Sequence, residues 1–289
     1  MRRRPLPREL GEAFSRAQAM DAGVRPKRLE AGDLTRPFRG VRATSPAVDL
    51  ESRARALLTV LPDRAVFSHA SAALLWGIPL PRRLESGEDL HITLPAGAST
   101  FVRGGVVVHY GDRDTTKCPA GLSVTAPGAT WCDLSAGMAV ADLVIAGDDL
   151  CFRSLTDRAG LQAALVAHPG RRGRVAARSA LPLIRDGSAS PGETRTRLLL
   201  GRWGLPEPEL NVDVFDRSGG WLARVDFLWR AHNVVAEYYG AVHEKSWGRD
   251  LTRAAQLEDA GYRVVVITAR DLRGGAGELR ARLGRLIVP

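Results

Sequence analysis

Three carboxylates in the last hundred residues carry the clearest chemical signal in the chain. Asp226 interrupts WLARVDFLW (221–229), a stretch that otherwise reads as an apolar β-strand. Glu237 follows the apolar run VVA in the next stretch, NVVAEYYG (233–240). Glu193 lies in the first turn of a helix, SPGETRTRLLLGRWG, which Ser190 caps and Pro191 begins. A carboxylate in such a strand is costly unless it is paired or holds a cation. A short turn at Ala231–His232 can bring Asp226 and Glu237 side by side on adjacent strands. Hard oxygen ligands of this kind suit Mg²⁺ (or Mn²⁺). Such an ion orients a water and neutralises charge that builds on a phosphate during hydrolysis. The competing account is structural: Asp226 and Glu237 form buried salt bridges with Arg224, Arg249 or Arg253. Residue types alone leave both open.

The elements that must position these groups follow from patterning. After the Glu193 helix come a strand NVDVFD (211–216), the turn RSGG, and the two acidic strands. DLTRAAQLEDAG (250–261) reads as a helix stopped by Gly261, and YRVVVITA (262–269) as a buried strand with a continuous apolar run. A last helix begins near Gly277. The expected order is α-β-β-β-α-β-α.

On these residues the chain resembles the very-short-patch-repair-like branch of the PD-(D/E)XK nuclease superfamily. The elements are SPGET, Val225-Asp226-Phe227, Glu237, Gly240, His243, Asp250, Arg253, Leu257 and Gly261-Tyr262, spread over roughly residues 188–289. The resemblance implies a restriction-endonuclease-like α/β fold. It implies Asp226 and Glu237 as metal ligands, Glu193 as a third, helix-borne carboxylate, and His243 as an acid/base or phosphate contact. Arg253 would be a partner of Asp250 or of DNA. One position departs: Tyr239 stands where the superfamily usually has lysine and this branch aspartate. A lysine there would stabilise developing charge; tyrosine carries none at neutral pH. The departure therefore bears on turnover, while the carboxylates that the resemblance implies for metal binding are all present.

The rest of the chain sets the context. Its 289 residues suggest about two domains. The net charge is +9, and 38 of the 41 cationic residues are arginine, a bias that a GC-rich genome also produces. Residues 1–45 carry +6 and residues 156–190 carry +4, while residues 46–155 carry −3. A basic N-terminal module points to a polyanion, against the alternative of a solvated basic tail. Residues 8–22 fit a helix stopped by Gly23, PKRLEAGDL a short basic helix, and RPFRGVRAT an extended wing. Together they outline a winged helix-turn-helix offering Arg25, Lys27, Arg28, Arg36 and Arg39 to DNA. Helices at 51–61, after Ser68, near Pro127 and at 139–150, with strands at 90–95, 105–110 and 122–127, make an α+β unit. Its His69, His91 and His109 show no metal-ligand spacing and read as structural. The segments FSRAQAMDAGVRPKRLEAGDLTRPFRGVRAT, AVFSHASAALLWGIPLP, LHITLP, VVVHYGD and GLSVTAPGATWCDLSAG resemble the AbiEi-type antitoxins of type IV toxin–antitoxin systems over about residues 8–155. That resemblance implies operator binding and a nucleotidyltransferase-like toxin as partner.

The expected architecture is thus multidomain, α/β and α+β. It comprises a winged helix-turn-helix (1–45), an AbiEi-like α+β domain (46–155), a helical linker (156–189) and the PD-(D/E)XK domain (190–289). No apolar run approaches the roughly 18–20 residues that span a bilayer. The basic N-terminus lacks the apolar stretch of a secretory signal. Cys118, Cys132 and Cys151 are scattered, which argues against a disulfide framework or cysteine zinc site and favours the reducing cytoplasm.

Overall fold

A computed structural model describes residues 4–216, 218–240, 247–273 and 276–287. The chain is a mixed α/β protein with twelve α-helices and three sheets among the described residues. It divides into two compact units. One comprises residues 1–138 and 160–175, the other residues 139–159 and 176–289.

The first unit opens with a small ribbon. Strand β1 (Ala13–Ser15) pairs antiparallel with β2 (Val41–Ala43), and helix α1 is Arg16–Asp21. The expected helix over 8–22 is broken into three pieces. Arg8–Leu10 is a 3-10 turn, after which Gly11 adopts φ 63° and redirects the chain into β1. Ser15 then starts α1 with a reciprocal capping pair with Gln18. The expected basic helix is a five-residue 3-10 segment, Pro26–Glu30. Leu10, Phe14, Ala19, Val24, Leu29 and Leu34 bury together beneath these pieces.

Helices α2 (Leu50–Leu58), α3 (His69–Trp76), α4 (Arg82–Glu85) and α5 (Pro127–Leu134) accompany a five-stranded sheet. Its strands are β3 (Val66–Phe67), β4 (Leu90–Leu94), β5 (Val106–Tyr110), β6 (Thr115–Lys117) and β7 (Ser123–Thr125), in the order β5-β4-β3-β7-β6. Ser68 stands at the N-cap of α3 but makes no capping hydrogen bond; its Oγ lies 3.0 Å from His69 Nδ1.

The second unit contains α6 (Val140–Phe152), which lies in the expected middle domain by sequence yet clusters with the C-terminal segment. Helices α7 (Arg158–Ala167) and α8 (Arg174–Ala180) each span a point where the chain passes between units. Then come α9 (Pro191–Arg202), β8 (Glu209–Phe215), β9 (Trp221–Trp229), β10 (Val234–Tyr239), α10 (Trp247–Asp259), β11 (Arg263–Thr268), α11 (Ala269–Arg273) and α12 (Ala276–Ile287). This is the expected order with one helix added: Ala269, expected to close the last strand, instead opens α11 ahead of the final helix. The sheet runs β11-β10-β9-β8, with β10 and β11 parallel across α10 and the other pairs antiparallel. Its two faces bury different sets. Phe227, Trp229, Val234, Ala236, Val265 and Ile267 pack with α9 and α12 residues; Val214, Val225, Leu228 and Val235 pack with Leu257 of α10.

No described helix is long and apolar enough to cross a membrane.

Candidate active site

Helix α9 is anchored before its carboxylate is presented. Ser190 Oγ accepts the Glu193 N–H at 3.2 Å. From α6, Asp148 Oδ2 accepts from Arg197 Nη2 at 2.6 Å and from Thr194 Oγ1 at 2.8 Å, and its Oδ1 accepts the Arg185 N–H at 2.8 Å. Asp148 and Arg197 are both buried, so this ion pair fixes α9 against α6 in low-dielectric surroundings. At the N-terminal end of α9 Gly192 lies flat against the Tyr238 ring of β10; any Cβ there would overlap the ring. The Glu193 helix therefore meets the Glu237 strand at closest approach.

Glu193 is buried, at 7% exposure. Its Oε2 accepts the Ala189 N–H at 2.8 Å and the Asn211 side-chain amide at 2.7 Å. Asn211 also donates to the Gly187 carbonyl at 2.7 Å.

Asp226 sits where β9 and β10 part. The last paired residues are Phe227 and Ala236, so Glu237 follows one step beyond on β10. There the Tyr238 N–H turns to Asp226 Oδ2, at 2.7 Å, in place of a strand carbonyl. Burial and the neighbouring carboxylate of Glu193 push the Asp226 pKa from its usual 3.8 up to about 7. Glu237 adds to the rise; the Tyr238 N–H and Arg253 oppose it. Asp226 is thus poised to hold or release a proton near neutrality.

Glu237 is buried and takes Arg253 Nη2 on Oε2 at 2.6 Å; the Tyr239 hydroxyl donates to the same oxygen at 3.2 Å. The two accounts left open by the sequence thus divide between the two residues. Glu237 has its arginine, whereas Asp226 forms no salt bridge among the described residues. Arg224 spends its Nε on the Asn211 carbonyl. Arg253, expected to meet Asp250 or DNA, meets Glu237. His243 lies outside the described residues.

The donor chemistry suits a hard divalent ion, since all three groups are carboxylates. Glu193 Oε1 and Asp226 Oδ1 take no hydrogen bond from the described residues. Among those residues, no three His, Cys, Asp or Glu side chains form a ready metal-binding group.

In the first unit Arg25, Lys27, Arg36 and Arg39 are exposed. Arg28 is committed elsewhere: it grips Asp33 with two hydrogen bonds, at 2.9 and 3.0 Å, and donates to the Arg4 carbonyl. Patterning missed Arg42, which is half-buried with its Nε on the Leu29 carbonyl. Burial lowers its pKa first, and the charges of Arg36 and Arg16 lower it further, so three guanidinium groups crowd this ribbon.

Patterning also missed a histidine cluster in the same unit. His69, in the left-handed region at φ 50°, stacks on His109 with ring centroids 3.5 Å apart. His91 Nδ1 lies 3.0 Å from His109 Nε2. Beneath them the buried Asp133 takes Arg113 Nε and His168 Nε2 on Oδ1, at 2.8 and 2.9 Å. Burial pushes His69 down to about 3 and His109 to about 4, so these imidazoles are neutral at physiological pH.

The molecule is a two-unit mixed α/β protein with a crowded carboxylate site in its C-terminal unit. No family model matches the chain, and no solved structure matches it. Two Mycobacterium tuberculosis proteins do: uncharacterized protein Rv2248 of strain H37Rv and uncharacterized protein MT2308 of strain CDC 1551. Each is 31% identical over 261 residues, covering 89% of this chain and 93% of its own length. The chain belongs to the family of these mycobacterial proteins.

Proposed function

We propose that the second unit is a Mg²⁺- or Mn²⁺-dependent DNA endonuclease domain and that the basic N-terminal segment binds DNA. The observation that carries this reading is Asp226. It is a half-buried acid crowded by Glu193 and Glu237, without a salt bridge of its own among the described residues. A fold does not retain such a group for stability, because ionising it opposes folding. The αβββαβ order supports this reading, as do the VDF and EYYG elements, at which the PD-(D/E)XK resemblance expects ligands. Glu193 and Asp226, with Glu237 beside them, would hold the ion; when bound it supplies positive charge against the phosphate and acidifies a water. The chain's own contribution is orientation. Asn211 and the Ala189 N–H fix Glu193, the Tyr238 N–H fixes Asp226, and Arg253 fixes Glu237. Arg25, Lys27, Arg36 and Arg39 would meet phosphates, giving binding that weakens steeply with salt. Arg28, tied to Asp33, would support that segment from within.

The hydroxyl of Tyr239 favours a second reading. It donates to Glu237 where the superfamily places a lysine, so this position itself brings no charge toward the phosphate. On this reading the chain is a non-catalytic regulator or antitoxin that grips DNA through a degenerate nuclease fold, with a nucleotidyltransferase-like toxin as partner.

Incubation of plasmid DNA with the full chain in Mg²⁺, Mn²⁺ or EDTA separates the two. The nuclease reading expects slow, metal-dependent cleavage, abolished in Asp226→Ala and accelerated in Tyr239→Lys. DNA binding without cleavage in the native protein and in Tyr239→Lys selects the regulator. Cleavage that persists in Asp226→Ala excludes this site.

A further inference from the structure

Asn211 breaks the regularity of an edge strand. It lies in β8 between Leu210, paired with Phe227, and Val212, paired with Val225, and so stands across from Asp226. Its φ is 49°, in the left-handed region that asparagine tolerates better than most residues. The kink has a packing result. Leu210 joins the cluster of Phe227 on one face of the sheet and Val212 joins that of Val225 on the other, although residues two apart in a regular strand share a face. Backbone shape alone does not account for the residue, because glycine would adopt the same conformation at less cost. The side chain does something glycine cannot. Its Nδ2 donates both to Glu193 Oε2 and to the Gly187 carbonyl, each at 2.7 Å. With the Ala189 N–H on the same oxygen, Oε2 of Glu193 is held and Oε1 is left to face away from these donors.

We propose that Asn211 is a positioning residue of the carboxylate site: it fixes the orientation of Glu193 beside Asp226, and the affinity of the site for a divalent cation depends on it through Glu193. This rests on the metal-dependent reading of the site. Groups that orient a ligand without touching the ion typically change metal affinity 10–100-fold when removed.

The test is Mn²⁺ titration of the metal-free full chain, with free Mn²⁺ followed by electron paramagnetic resonance. Asn211→Gly keeps the left-handed backbone and the kink but deletes the amide, so the variant retains its fold. The expected result is a Kd for Mn²⁺ raised at least tenfold. In the Glu193→Ala background the same substitution should produce no further change, which a general loosening of the sheet would not reproduce. An Asn211→Gly Kd equal to the native value overturns the proposal while leaving the metal site standing. An equal loss in both backgrounds also overturns it, by assigning Asn211 a purely structural part. Failure of the native chain to bind Mn²⁺ overturns the metal-dependent reading itself, and the proposal with it.

Discussion

Replacing Asp226 by asparagine is expected to stabilise the second unit at neutral and alkaline pH and to leave its acid stability unchanged. In the folded chain this carboxyl keeps its proton up to about 7, whereas the unfolded chain gives it up near the usual 3.8. Between those values the folded state binds more protons. Stability therefore falls as pH rises from about 4 to 7 and stays depressed above that. At about 1.4 kcal/mol per pH unit, the full interval corresponds to roughly 4 kcal/mol. Local relaxation of the pocket reduces this, so a gain of about 2–4 kcal/mol is expected at pH 8 in the absence of divalent ions. Asparagine keeps a carbonyl oxygen for the Tyr238 N–H, so the strand junction survives the change. Because the chain has two units, a global melt mixes their transitions. Hydrogen exchange at Val235 and Ala236, in the middle of the sheet, reports this unit alone. Protection of these amides should rise in Asp226→Asn at pH 8 and match the native protein at pH 4. Equal protection at both pH values, or a loss at pH 8, refutes the placement of an uncompensated acid here.

Three further outcomes follow from the geometry. Gly192→Ala drives a methyl into the Tyr238 ring and should cost about 1–3 kcal/mol; Tyr238→Ala in the same chain should recover part of that cost, read from the same exchange amides. Asp148→Ala leaves the buried Arg197 without its anion and should destabilise the second unit by about 3–5 kcal/mol, while adding Arg197→Met should restore some of it in urea unfolding. The first unit should respond to pH in the opposite sense to the Asp226 site. Its buried His69 and His109 ionise at about 3 and 4 when folded but at 6.5 when unfolded. Their contribution is complete above about 6.5 and disappears as pH falls toward 3. Exchange at Val124, in the centre of the first unit's sheet, should accelerate through that window, and His109→Gln should flatten the slope.

Much of the second unit was legible because its signals are local. Val234–Ala236 and Val264–Ile267 are continuous apolar runs, and an acid inside or directly after such a run is visible without coordinates. The partners that decide what those acids do were not visible. Asn211 reads as one more residue of an extended strand, since nothing in LNVDVF announces a left-handed turn in its midst. The histidine cluster draws on β4, β5, α3, α5 and the segment after α7, so sequence spacing carries no trace of it. At the N-terminus, periodicity suggests one long helix, but Gly11 and the Ser15–Gln18 cap override a weak pattern. The pairing of Arg28 with Asp33 was likewise hidden, because charge counts record how many arginines lie in a segment and not which are already spent.

The route of the chain bears on how this protein can be taken apart. The backbone passes from one unit to the other after residue 138, returns after 159 and crosses again after 175. A protein assembled by joining two finished modules end to end needs a single crossing. Here a fragment beginning at residue 190 would carry the three carboxylates but forfeit α6, and with it the anion that neutralises Arg197. A fragment ending at residue 138 would lack His168 and leave Asp133 with a smaller set of donors. Each truncation removes a buried polar partner, so a loss of activity on simple deletion is expected to reflect loss of folding. The informative dissections are those that keep both ends of the exchange: point substitutions in the intact chain, or a rearranged chain in which residues 139–159 are joined directly to the segment beginning at 176.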